Sequence, residues 1–121
     1  MLLDDAMRAA RVCDLVTTGR TTGQPRRIEL WFAAVGDTWF ALAGGRDRAH
    51  WVRNLRADPR AIVEIRGRLF EGTARMVEGT DDDPVARDAI AAKYGRRGLE
   101  DWLRESLPVA IDFERERPRG R

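Results

Sequence analysis

The chain has 121 residues, a net charge of +2 and 35% charged side chains, with a mean hydropathy of −0.49. This is one soluble domain with room for one core. No apolar run approaches the roughly 20 residues of a membrane span, and so small an excess of positive charge argues against non-specific nucleic-acid binding.

The first segment, Leu2 to Arg11, has helical spacing, with Asp4 and Asp5 near its start where the helix dipole favours acids. It lacks the apolar stretch and small-residue cleavage site of a signal peptide. Val12 to Thr18 reads as a strand. A polar turn follows, and then Arg27 to Val35 alternates, with Ile28, Leu30, Phe32 and Ala34 on the core side and Arg27, Glu29, Trp31 and Ala33 on the other. Gly36-Asp37 makes a hairpin into Thr38 to Ala43, and Gly44-Gly45 breaks that strand. Arg48 to Ala57 predicts a short helix stopped by Asp58-Pro59. Ala61 to Arg66 and Leu69 to Glu78 pair around Gly67. Asp81-Asp82-Asp83-Pro84 predicts a helix start, with an acidic cap and proline in first position, running to Tyr94. Leu99 to Arg104 is a further helical piece, Val109 to Phe113 a last strand, and residues 114–121 a frayed tail. Adjacent hairpins make the sheet mostly antiparallel. Six short strands with covering helices predict a mainly β (α+β) small barrel, closed or half-closed, in a single domain over residues 1–121.

Elimination narrows the chemistry. His50, Cys13, Ser106 and Lys93 are each the sole residue of their type. Ser106 lacks a nucleophile-elbow setting, one His with one Cys cannot build the usual zinc site, and Lys93 falls in a predicted solvated helix. No catalytic side chain and no metal ligand is assigned; an enzyme of this composition would borrow its chemistry from a cofactor. The lone cysteine can form no internal disulfide, which fits the cytoplasm.

The densest polar feature is Thr17-Thr18-Gly19-Arg20-Thr21-Thr22-Gly23-Gln24-Pro25-Arg26-Arg27, with four threonine hydroxyls and three guanidinium groups. Glycines let main-chain N–H groups approach a ligand, and hydroxyls, amides and arginine forks together suit a phosphate or carboxylate. The plainer alternative is an arginine-capped hairpin loop. Arg46, Arg48, Arg53 and Arg56 could prolong a basic track beyond the turn, or could simply be solvated. Trp31 lies opposite the core side of its strand and is free to meet a ring system. His50 reads either as a proton donor or as an ordinary residue at a helix start, and Tyr94 either as a pocket lid or as packing.

This turn, followed by Glu29-Leu30-Trp31-Phe32, Gly44-Gly45, Trp51 with Asn54-Leu55, and Ala57-Asp58-Pro59, resembles the deazaflavin-dependent nitroreductase and quinone reductase family. Those proteins are among the split β-barrel flavin and deazaflavin oxidoreductases. The resemblance covers residues 12 to 78 well and the last third in outline. It implies hydride transfer between coenzyme F-420 and a small acceptor such as a quinone or nitroaromatic. By the same resemblance Arg20, Thr21, Thr22, Gly23, Gln24, Pro25 and Arg26 hold the cofactor's phosphate end, and Trp31 lies beside the ring. Ala43, Gly44 and Gly45 border ring and linker, with Trp51 and Asn54 supporting that wall. A homodimer is implied as well. Thr21 stands where the family often has lysine, and Leu42-Ala43 where it often has Ser-Lys. Those departures leave FMN as an alternative cofactor, and a non-catalytic cofactor or small-ligand carrier as an alternative function.

Overall fold

The structure is a computed structural model that describes residues 1–118. Seven strands make one sheet: β1 (Cys13–Thr18), β2 (Pro25–Leu30), β3 (Ala33–Val35), β4 (Thr38–Ala43), β5 (Arg60–Ile65), β6 (Arg68–Met76) and β7 (Leu107–Arg117). Four α-helices accompany them, α1 (Asp5–Ala9), α2 (His50–Ala57), α3 (Asp82–Tyr94) and α4 (Glu100–Glu105), with a 3-10 turn at Arg46–Arg48 before α2.

The strand order is β2-β1-β5-β6-β7-β4-β3, and all pairs are antiparallel. β2 and β3 therefore lie at opposite edges although only Trp31 and Phe32 separate them. Three residue steps span at most about 11 Å, so the sheet must curl until its edges nearly meet. The result is a split barrel, closed by chain connectivity where strand pairing is missing. Gly72 sits at a register shift between β6 and β7; a Cβ there would meet the Asp112 carbonyl oxygen at 2.3 Å. Only glycine allows that approach.

The seam at Trp31–Phe32 is held from α3. The Tyr94 hydroxyl accepts from the Phe32 amide (3.2 Å) and donates to the Arg11 carbonyl (2.7 Å). The Lys93 ammonium donates to the Phe32 carbonyl (2.9 Å) and lies 3.8 Å from the centre of the Phe32 ring. Backbone groups that a closed barrel would satisfy by pairing are satisfied here by side chains.

Inside the curl, Leu15, Phe32, Trp39, Val63, Ile65, Phe70, Val109 and Ile111 are fully buried. β4 is buried on both faces because α3 and α4 cover its outer side, where Leu42 meets Ile90 and Leu103, and Phe40 meets Val77 and Ala86. Cys13 is buried in the core, and desolvation pushes its thiol up to about 12, which makes it inert.

Several expectations change. The run Arg27 to Val35 falls in two strands rather than one, so the described residues form seven strands and not six. The alternation slips at the seam, burying Ala33 in place of Ala34, because the chain changes sheet edge there. The first helix is confined to Asp5–Ala9. Pro84 is the third residue of α3 and not the first, and Asp81 makes no side-chain cap; Thr80 Oγ1 instead accepts from the Asp82 amide (3.3 Å). The last strand continues to Arg117, paired with β6, where a frayed tail from Glu114 is expected; the final three residues of that tail lie outside the described residues.

Candidate functional site

The β1–β2 turn is closed by two backbone bonds, Gly19 N–H to the Gln24 carbonyl and Gly23 N–H to the Gly19 carbonyl, both 2.7 Å. Gly23 takes φ +72°, a left-handed conformation that glycine adopts without strain. At Gly19 the reason for glycine is space: a Cβ would meet the Gln24 carbonyl and Thr22 Oγ1 at 3.0 Å. Thr22 Oγ1 accepts from the Gln24 amide and from Arg26 Nη2, each at 3.2 Å. The amides of Thr21 and Thr22 have no protein acceptor among the described residues.

Helix α2 docks the turn onto the barrel through Asn54. This buried side chain donates to Thr17 Oγ1 (3.1 Å), and its oxygen accepts both the Arg20 amide (3.2 Å) and Arg20 Nη1 (2.7 Å). The other guanidinium nitrogen, Arg20 Nη2, lies 3.2 Å from His50 Nδ1. Between turn, helix and strand β2 opens a cavity of about 480 Å³ lined by Thr17, Gly19, Arg20, Thr21, Thr22 and Arg26, with Arg27, Ile28, His50, Trp51 and Asn54 completing the wall. Ile28 points to the inner side with Leu15, as the alternation predicts. It is exposed because that side opens into the cavity at this end of the barrel.

The electrostatics of the wall are one-sided. Among the described residues, neither Arg20 nor Arg26 has a carboxylate partner; both guanidinium groups contact only neutral groups. Arg27 differs, since Asp14 (2.8 Å) and Glu64 (3.0 Å) hold it. Half of the basic track expected beyond the turn, Arg46 and Arg56, is neutralised as well. Arg46 binds both oxygens of Glu78 at 2.6 Å, and Arg56 binds Asp47 at 2.7 Å. Among the described residues, those that carry two uncompensated guanidinium groups, two open amides and the Thr21 and Thr22 hydroxyls thus line one concave surface. Such a set is complementary to an anion with several oxygens.

The structure brings Arg20, Thr21, Thr22, Arg26, Trp51 and Asn54 together at this cavity. Gly23 and Pro25 border a separate groove on the outer face of the sheet, and Gln24 lines neither. Trp31 is 45% exposed but lies off the cavity wall, stacked on Tyr94 (centroids 4.5 Å, 10°) and edge-on to Trp102 (5.9 Å, 86°). Ala43 is buried, and Gly44 and Gly45 lie beside Trp102 and Ala49 away from the cavity. Thr17, Gly19, Arg27, Ile28 and His50 are wall residues that the expected set omits. Thr17, Gly19 and Arg27 belong to the polar motif itself. His50 is brought to the wall by α2, and Ile28 by the inner face of β2.

Comparison with known proteins places this arrangement. An F420H(2)-dependent quinone reductase of Mycobacterium tuberculosis is 38% identical over 72 residues, covering 57% of this chain and 48% of that protein. The chain spans about half the length of the curated relatives it matches. Among solved structures, the F420-H2 dependent reductase FDR-A superposes with TM-score 0.68 at 23% identity, over 94% of this chain and 98% of the other. HutZ, a haem storage protein of Vibrio cholerae, superposes with TM-score 0.74 at 16% identity, over 95% and 92%. At these identities the structures share the fold, the split barrel. The profile of the F420H(2)-dependent quinone reductase family matches residues 5–113, and the chain belongs to that family.

Proposed function

We propose that the cavity at the β1–β2 turn seats the phosphate-bearing portion of coenzyme F-420 and that the chain is a deazaflavin-dependent oxidoreductase acting on a small acceptor such as a quinone. The observation that carries this reading is the pair of guanidinium groups, Arg20 and Arg26, that line the cavity without carboxylate partners among the described residues. The group fits the residues present. The open amides of Thr21 and Thr22 offer donors to phosphate oxygens, and Trp51 and Ile28 offer apolar wall to what the phosphate carries.

When bound, the reduced deazaflavin supplies the hydride. The residues of this chain bind and orient. Arg20 lines the cavity with Nη1 held by Asn54, which keeps its guanidinium at the wall before an anion arrives. Arg26 is steadied through Thr22. We extend the proposal to a homodimer, and to a cytoplasmic setting in which the lone buried Cys13 stays reduced.

The test is a titration of purified protein with F-420 and, separately, with FMN, followed by tryptophan fluorescence, then turnover of the reduced holoprotein with quinone acceptors. Saturable quenching by F-420 with acceptor reduction is expected. A response to FMN alone would reassign the cofactor, and binding without turnover on any acceptor would make the protein a carrier.

A further inference from the structure

His50 is the first residue of α2 and the only histidine in the chain. Its Nδ1 stands 3.2 Å from Arg20 Nη2. A guanidinium offers only N–H donors, so this contact is a hydrogen bond only while Nδ1 keeps its lone pair. The network therefore assigns a neutral ring with its proton on Nε2. Adding a proton to Nδ1 would set two donors against each other beside a fixed positive charge.

Charged groups surround His50 on several elements. Arg20 faces His50 from the turn, and Arg26 and Arg27 share the cavity wall. Arg53 stands on the same helix, and Arg48 precedes it in the 3-10 turn. On the neighbouring elements Asp47 pairs with Arg56, and Asp14 and Glu64 pair with Arg27. Lys93 belongs to the seam and is not part of the wall. Without an anion, the contact to Arg20 needs the Nδ1 lone pair.

An anion reverses this balance. It draws the Arg20 fork toward itself, which frees Nδ1, and it rewards a positive ring that can donate from Nδ1 to the same oxygens. We propose that His50 is a proton-linked ligand of the anion: seating a sulfate or phosphate group against Arg20 and Thr22 draws one proton from solvent onto His50 Nδ1, and the imidazolium then donates to the anion. This deepens the anion-seat reading above and rests on it.

Sulfate is the probe, since its charge does not change between pH 5.5 and 7.5. Binding is followed by tryptophan fluorescence, with Trp51 in the cavity wall, and by calorimetry in two buffers of different ionisation enthalpy. For the wild type we expect the Kd to tighten about tenfold from pH 7.5 to 5.5, with proton uptake accompanying binding. His50→Gln should show a flat pH profile with no proton uptake. Wild-type binding that is independent of pH, or a His50→Gln variant that keeps the slope, would overturn the proton linkage and leave the anion seat standing. Equal sulfate affinity of Arg20→Ala and wild type, or no wild-type binding at either pH, would overturn the seat and the linkage together.

Discussion

Arginines occur along β6 and β7 as they do around the β1–β2 turn, but the two regions use them in opposite ways. Arg68 pairs with Glu116 and Asp4, Arg75 with Asp112 and Asp82, and Arg115 with Glu71. Those guanidinium groups staple neighbouring strands and leave little charge to offer. Arg20 and Arg26 are held by an amide oxygen, a hydroxyl and an imidazole, so their charge is still available. The difference teaches that in an arginine-rich chain the partner, not the residue, marks a site.

The sharpest way to break the contrast is Arg20→Ala. Each charge-assisted hydrogen bond contributes about 1.5–3 kcal/mol where well formed, so cofactor affinity should fall about 10- to 100-fold in a fluorescence titration. Arg117→Ala, at the exposed far end of β7, should leave it unchanged; equal losses would remove the distinction. Asn54→Ala comes next. It strands the Thr17 hydroxyl and frees Arg20 and should lower unfolding free energy by about 2 kcal/mol while also weakening cofactor binding. A stable variant with intact affinity would show that the turn needs no support from α2. Arg75→Ala tests the other region. Its half-exposed pairs to Asp112 and Asp82 should cost about 1 kcal/mol or less in a denaturant melt and nothing in cofactor binding.

The smallest effect concerns Lys93. Burial first, and then the charge of Arg11, press its ammonium down from 10.5 to about 8. The unfolded chain therefore binds the proton more tightly than the folded one between those values. Folding is penalised below about pH 8, and the penalty is relieved as pH rises toward 10.5. The stability of the wild type relative to Lys93→Met should improve over that window. A ¹³C-methylated Lys93, the only lysine, should titrate by NMR with a midpoint near 8, and a midpoint near 10.5 would place the amine in open solvent.

Local pattern carried most of the fold and part of the site. Alternation and glycine turns were enough for the hairpins, and the threonine, glycine and arginine content of residues 17–27 was enough to mark the turn. The seam was invisible because Glu29 to Val35 alternates without interruption; nothing in a period of two records that Phe32 leaves one sheet edge for the other. Trp31 was read correctly as facing away from the core, but its stacking partner Tyr94 comes from 63 positions along the chain. Likewise Arg46 and Arg56 look available in sequence, and only the folded chain reveals Glu78 and Asp47 beside them. His50 entered the wall because an eight-residue helix places it there.

Asn54 carries a consequence for the life of the protein. A single carbonyl oxygen takes both main-chain and side-chain donors of Arg20, while the amide end grips β1. Whatever fills the cavity must therefore also fasten the helix, and at a hundredfold excess over Kd a ligand adds about 2.7 kcal/mol against opening. Vacant copies should therefore open more often than filled ones, so the abundance of this protein should follow the supply of what it binds.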